Sequence, residues 1–196
     1  MTPVSNEVLI SVDVETSGQS PSVGSLLSIG ACLVADPSVG LYLELKPVAD
    51  RPWSAEAEGV HGLTRERLEL EGLEPADAMA RFAQWVEQQA GVGWPLFVGF
   101  NAPFDWMFVA DYFWRHLGRN PFGVSALDLK SYYMGRDAVD QWEQTRRVHL
   151  DARLGLAPDH SHNALEDAQG QARLAQVLLR RRGAVPRRCT GNRSSI

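Results

Sequence analysis

Four acids and one histidine, spread over three distant segments, carry the chemistry in this chain: Asp13 and Glu15 in VDVETSG, Asp105 in FNAPFD, and His162 with Asp167 in HNALED. Carboxylates brought to one place repel one another and lose hydration, and divalent cations with oxygen ligands offset both costs. Metal-assisted phosphodiester hydrolysis is the chemistry that such a set serves. Residues two apart in a strand point to the same side, so Asp13 and Glu15 project together while Val12 and Val14 face the opposite way.

Taken singly, each of these residues has an ordinary explanation. Asp105 falls in the first turn of a helix opened by Pro103, where the helix dipole favours an acid whatever its role. Asn101 suits a turn or a cap. His162 reads as a loop residue and Asp167 as a helical acid like Glu166. Histidine, with an unperturbed pKa near ~6.5, can accept a proton from water at neutral pH, which a liganding carboxylate does less readily. His160, two residues earlier, competes with His162 for that role. His116 and His149 lack an acid-rich context, while His61 is a candidate substrate contact. The six tryptophans include candidates for a base-stacking platform, though most are expected to pack in or near the core.

The elements that must position these groups follow from hydrophobic periodicity. Glu7 to Val14, Leu26 to Val34 and Leu41 to Leu45 read as three strands in an antiparallel meander. An irregular stretch containing HGLTRERL follows. Pro75 then opens a helix ending near Gly91, with Met79, Phe82 and Val86 on its apolar side. Leu96 to Phe100 is a short strand, Pro103 to Gly118 a helix, and Val124 to Leu129 a fifth strand. Lys130 to Leu154 is helical with weaker boundaries, and a last helix runs from about Asn163 to Arg181. A meander followed by strands alternating with helices predicts an α/β fold in which helices cover a mixed sheet.

At 196 residues, 44% of them hydrophobic, the chain is sized for one domain, expected over residues 1–182, with a basic tail over 183–196. Six arginines and no acid fall in the last 17 residues, so the net charge of −5 leaves a body at −11. Such a body lacks the global basic field that grips nucleic acid, so a nucleic-acid substrate must be held by metals, local patches and stacking. No apolar stretch approaches the roughly 20 residues that span a bilayer. No leader pattern is visible, and Cys32 and Cys189 form neither a disulfide framework nor a zinc spacing. The expectation is a cytoplasmic protein without membrane contact.

In order, the three segments resemble the motifs of the DEDDh 3′–5′ exonuclease family, the group of RNase T, DNA polymerase III epsilon and oligoribonuclease. The resemblance spans roughly Val8 to Leu178. Asp13-Val-Glu15-Thr16-Ser17-Gly18 looks like the first motif, Asn101-Ala-Pro-Phe104-Asp105 like the second, and His162-Asn-Ala-Leu-Glu-Asp167 like the third. His61-Gly62-Leu63-Thr64 resembles a family element that approaches the substrate. The resemblance implies an RNase H-like fold with a five-stranded mixed sheet flanked by helices. It also implies release of nucleoside 5′-monophosphates from 3′ ends of single-stranded DNA or RNA. Asp13, Glu15, Asp105 and Asp167 would hold two Mg²⁺ or Mn²⁺ ions, with His162, rather than His160, as general base. Thr16, Ser17, His61, Leu63, Asn101 and Phe104 would lie at the substrate. The competing readings are a catalytically silent nucleic-acid-binding or scaffold protein of the same fold, and an RNase H-type endonuclease. A homodimer or a larger nucleic-acid-processing complex is left open.

Overall fold

The computed structural model describes residues 6–156 and 161–180. Short runs rich in β-branched and aliphatic residues open the chain as strands. They are β1 (Glu7–Thr16), β2 (Leu26–Leu33) and β3 (Gly40–Glu44), each antiparallel to the next. Further along, β4 (Trp94–Gly99) lies parallel to β1, and the short β5 (Ala126–Asp128) lies parallel to β4. The resulting five-stranded mixed sheet has the order β3-β2-β1-β4-β5. Because β1 and β4 run the same way, their C-terminal ends, with the residues that follow, reach the same edge of the sheet. That edge collects the motif residues.

Three long helices cover the sheet. Helices α3 (Pro75–Ala90) and α4 (Pro103–Leu117) each begin with a proline, whose missing N–H costs nothing at that position. They pack Met79, Phe82, Val86, Phe108 and Phe113 with Ile10, Val12 and Val14 of β1. On the opposite face, α7 (Ala164–Arg180) packs Ala168, Ala172, Leu174 and Ala175 with Cys32 and Val98. Since Val12 and Val14 point to the α3/α4 side, strand alternation turns Asp13 and Glu15 to the α7 side.

Several expectations are corrected. The stretch around HGLTRERL is two short helices, α1 (Ala55–His61) and α2 (Arg65–Glu71), the second capped by the Thr64 side chain accepting from the Arg67 N–H. Each spans seven residues, too short for an apolar period to show, and Leu68 is the buried residue of α2. Strand β1 continues past Val14, and its pairing with β2 shifts register between Glu15 and Thr16. Such irregularities re-aim side chains at strand ends. The region after β5 divides into α5 (Leu129–Arg136), a 3₁₀ turn (Trp142–Thr145) and α6 (Arg147–Leu154). Trp94, Trp114 and Trp142 are exposed by 64%, 54% and 49%, so half of the tryptophans lie at the surface and are only partly covered. Among the described residues no helix is long and apolar enough to cross a membrane. His160, Cys189 and the 183–196 tail lie outside the described residues.

Candidate active site

Asp13 pairs with Gly30 across β1 and β2, and that glycine decides how close α7 can come. A Cβ built on Gly30 would sit 2.0 Å from the Ala164 carbonyl carbon and 2.2 Å from the Leu165 nitrogen. With no side chain there, the first turn of α7 rests backbone-to-backbone on β2. Asp167, in that first turn, is thereby delivered to the acids of β1. Ligand oxygens of Asp13, Glu15 and Asp167 lie within 4.8 Å of one another.

Asp105 arrives from α4 on the other side. It is buried to 5% exposure, and its Oδ1 accepts the Val14 N–H at 3.1 Å. One carboxylate oxygen is thus tied to the backbone between Asp13 and Glu15. The loop leading to α4 is held in turn, because Asp128 accepts the Ala102 N–H while also capping α5 through Lys130 and Ser131. Asn101 takes φ 66°, a left-handed turn that asparagine tolerates better than most residues, and its carbonyl accepts the Phe104 N–H.

Burial and mutual repulsion push the protons back onto these acids. Asp13 is raised well above the ordinary aspartate range, first by burial and then by the charges of Asp105, Glu15 and Asp167. Burial, followed by Asp167 and Asp105, pushes Glu15 up to about 8. Asp105 is pushed up to about 7, chiefly by burial, against the lowering effect of the Val14 N–H. Acids held this way fit a divalent cation: all are hard oxygen donors, they converge, and positive charge removes the cost that holds their protons on. The cluster is consistent with divalent metal binding.

Gln171, which the sequence reading passed over, links the parts. Its Nε2 donates to Asp13 Oδ1 at 2.5 Å, and its Oε1 accepts the Phe100 N–H at 2.9 Å. One buried amide on α7 therefore ties β1 to the end of β4, and it opposes the upward shift at Asp13. The available signal was its position four residues after Asp167, on the same helix face. Gly30 also had a signal: a glycine inside an apolar strand marks close backbone approach.

His162 is exposed and adopts φ 55° immediately ahead of α7, which Asn163 opens by accepting the Leu165 and Glu166 N–H groups. It lies near enough to His61 for its charge to help depress that imidazole, whose main cause of lowering is burial. Beside the acids is a cleft of about 270 Å³, lined by Glu15, Thr16, Ser54, Val60, His61 and Phe104 among others. His61 Nδ1 accepts the Leu63 N–H at 3.0 Å, which leaves Nε2 as the proton-bearing nitrogen of the neutral ring. That Nε2 has no partner among the described residues. Ser17 and Leu63 are not brought to the cleft. The Ser17 hydroxyl donates to the Pro52 carbonyl and accepts the Ser25 N–H, while Leu63 is buried with Leu27 and Leu68.

Along most of its length the chain is similar to known exonucleases. The profile of the RNase T exonuclease family matches residues 10–175. A 3′–5′ DNA exonuclease of Escherichia coli, Cap18, is 42% identical over 177 residues, covering 88% of this chain and 91% of its own length. Among solved structures, the nuclease domain of 3′hExo, a DEDDh family member bound to rAMP, superposes with a TM-score of 0.72 at 14% identity, over 88% of this chain and 92% of that one. E. coli exonuclease I in complex with an oligonucleotide gives 0.70 at 19% identity, over 90% of this chain but 41% of the other. The chain therefore belongs to the exonuclease family, in its DEDDh 3′–5′ branch, and is by class a metal-dependent phosphodiester hydrolase. The RNase H-like architecture implied by the resemblance, a five-stranded mixed sheet flanked by helices, is the one observed.

Proposed function

We propose that the chain removes nucleotides one at a time from the 3′ end of single-stranded nucleic acid, releasing nucleoside 5′-monophosphates. The observation that carries this reading is the convergence of Asp13, Glu15 and Asp167 within 4.8 Å, with Asp105 acting on Asp13 from α4. DNA is the first substrate to test, since the relative at 42% identity is named a DNA exonuclease. RNA is the alternative arm of the same assay. We assign residues 1–182 to the catalytic domain.

In this reading Asp13, Glu15, Asp105 and Asp167 hold two divalent cations, Mg²⁺ or Mn²⁺. Bound there, the cations supply Lewis acidity toward water and neutralise charge on the phosphate. His162 accepts the proton of the attacking water as its oxygen bonds to phosphorus and the bond to the 3′ oxygen breaks. Exposure of the imidazole at the mouth of the site supports that role, because a general base must reach solvent to shed its proton. Gln171 keeps Asp13 oriented. His61, through the unpartnered Nε2–H, and Thr16 and Phe104 contact the terminal nucleotide in the adjoining cleft. Asn101 shapes the turn that presents Phe104 and Asp105.

The test is a 5′-labelled single strand incubated with the protein and Mn²⁺. Progressive laddered shortening with free mononucleotides supports the proposal. A protein that binds the strand without shortening it is the silent scaffold, and one that cuts a circular strand is an endonuclease.

A further inference from the structure

The cleft beside the acids, at about 270 Å³, falls at the small end of ligand pockets and has room for one nucleotide, not a strand. The strand upstream of the scissile bond needs its own support, and an acidic body supplies no general attraction for it. On the opposite, β5 side of the site lies a group of aromatic and cationic side chains that the proposed chemistry does not use. Lys130 Nζ stands 4.3 Å from the Trp142 ring centroid and 5.9 Å from that of Phe100, and the Arg147 guanidinium covers Phe100 at 5.7 Å. Trp142 is 49% exposed.

This group is built onto the acid cluster. The Phe100 N–H donates to Gln171, which holds Asp13. Lys130 begins α5 under the Asp128 cap, the same carboxylate that accepts the Ala102 N–H before α4. Arg147 reaches from α6 to the Gly170 carbonyl of α7. The neighbouring acids have other partners: Asp151 pairs with Arg147, Asp137 with Arg136, and Glu143, which also feels Lys130, with Arg146. Lys130 has no ion pair among the described residues.

Resting on the exonuclease reading above, we infer that Trp142, Phe100 and Lys130 form a platform for the upstream nucleotides of a single strand whose 3′ end occupies the cleft. A base stacks on the exposed Trp142 ring, and Lys130 meets a backbone phosphate. Stacking on aromatics beside a cation is how single strands are held without sequence preference.

The test compares kcat/KM for a DNA strand of about 20 nucleotides, long enough to pass several bases beyond the site, with that for a dinucleotide. Trp142→Ala lowers the ratio of the two about tenfold, and Trp142→Phe retains most of it. Lys130→Gln reduces the salt dependence of long-strand KM by about 0.7 in the log–log slope. Thermal melts check that the variants stay folded. A ratio and salt slope that stay unchanged in both Trp142→Ala and Lys130→Gln overturn the platform, as does an equal loss on the dinucleotide. Wild-type protein that processes neither substrate removes the exonuclease reading itself, and the platform with it.

Discussion

Glu15→Gln should stabilise the metal-free protein, although Glu15 belongs to the proposed metal site. Its carboxylate oxygen lies within 4.8 Å of those of Asp13 and Asp167. Two unit charges at that distance repel by about 1 kcal/mol in water and about 3.5 kcal/mol at the effective dielectric of a protein surface. Because Asp13 itself tends to stay protonated, one ionised pair is the fair count, giving about 1–3 kcal/mol. The rise of Glu15 from 4.5 to about 8 corresponds to about 5 kcal/mol between its protonated and ionised forms, an upper bound that includes burial. Raised in the folded state, Glu15 contributes stability that is complete below about 4.5 and lost as pH climbs through about 8. In chelator, therefore, the wild type weakens over that window, and Glu15→Gln weakens less, because only Asp13 and Asp105 still lose their protons there. At a pH above that window the variant should melt about 2–12 °C higher, taking 2–4 °C per kcal/mol for a chain of this size. Below about pH 4.5, where Glu15 is protonated whether folded or unfolded, the difference should vanish. Adding Mg²⁺ or Mn²⁺ should raise the wild type and leave the variant nearly unmoved. Differential scanning fluorimetry across pH, with and without metal, reads all of this. A variant that melts at or below the wild type at high pH in chelator refutes the electrostatic picture of the site, as does a gain independent of pH.

Three further perturbations probe how the acids are delivered. Gly30→Val should push the start of α7 off β2, since even a Cβ would lie 2.0 Å from the Ala164 carbonyl carbon. Turnover should fall by about a hundredfold through misplacement of Asp167, with a lowered melting temperature; unchanged kinetics would exclude that contact as the device that seats the helix. Gln171→Leu removes the donor to Asp13 and strands the Phe100 N–H. Mn²⁺ affinity by calorimetry should drop about tenfold at neutral pH, and an unaltered affinity would make Gln171 a bystander. His162→Ala should keep Mn²⁺ binding while losing most turnover, whereas His160→Ala retains more of it; the reverse ranking transfers the base role to His160.

The shared face of Asp13 and Glu15 was legible from a local rule, whereas Asp105, His162 and Asp167 each read as ordinary residues until the three segments were compared in order with a known family. Two-residue alternation placed Asp13 and Glu15 on one face of β1, and prolines marked the starts of α3 and α4. The strand order followed from apolar runs that were long enough to count. What escaped was governed by tertiary approach or by short length. Gly30 and Gln171 matter because of what lies across from them in space, Ala164 and Asp13, which no window along the chain contains. Helices α1 and α2 are too short to show a period, and α2 owes its position to a cap at Thr64 and one buried leucine, Leu68. Leu63 resembles a substrate-facing element in sequence, yet it packs with Leu27 and Leu68, whereas its neighbour His61 lines the cleft. Trp142 could not be told from a core tryptophan until the 3₁₀ turn that displays it was seen.

The central claim is that these carboxylates act together through bound divalent cations to shorten 3′ ends. Asp167→Ala tests it most directly, with a 5′-labelled single strand assayed over a Mn²⁺ titration beside the wild type. The wild type should show metal-dependent laddering and 5′-mononucleotide release. The folded variant should show neither at any metal concentration. A folded Asp167→Ala protein that still releases mononucleotides at the wild-type rate would contradict the claim.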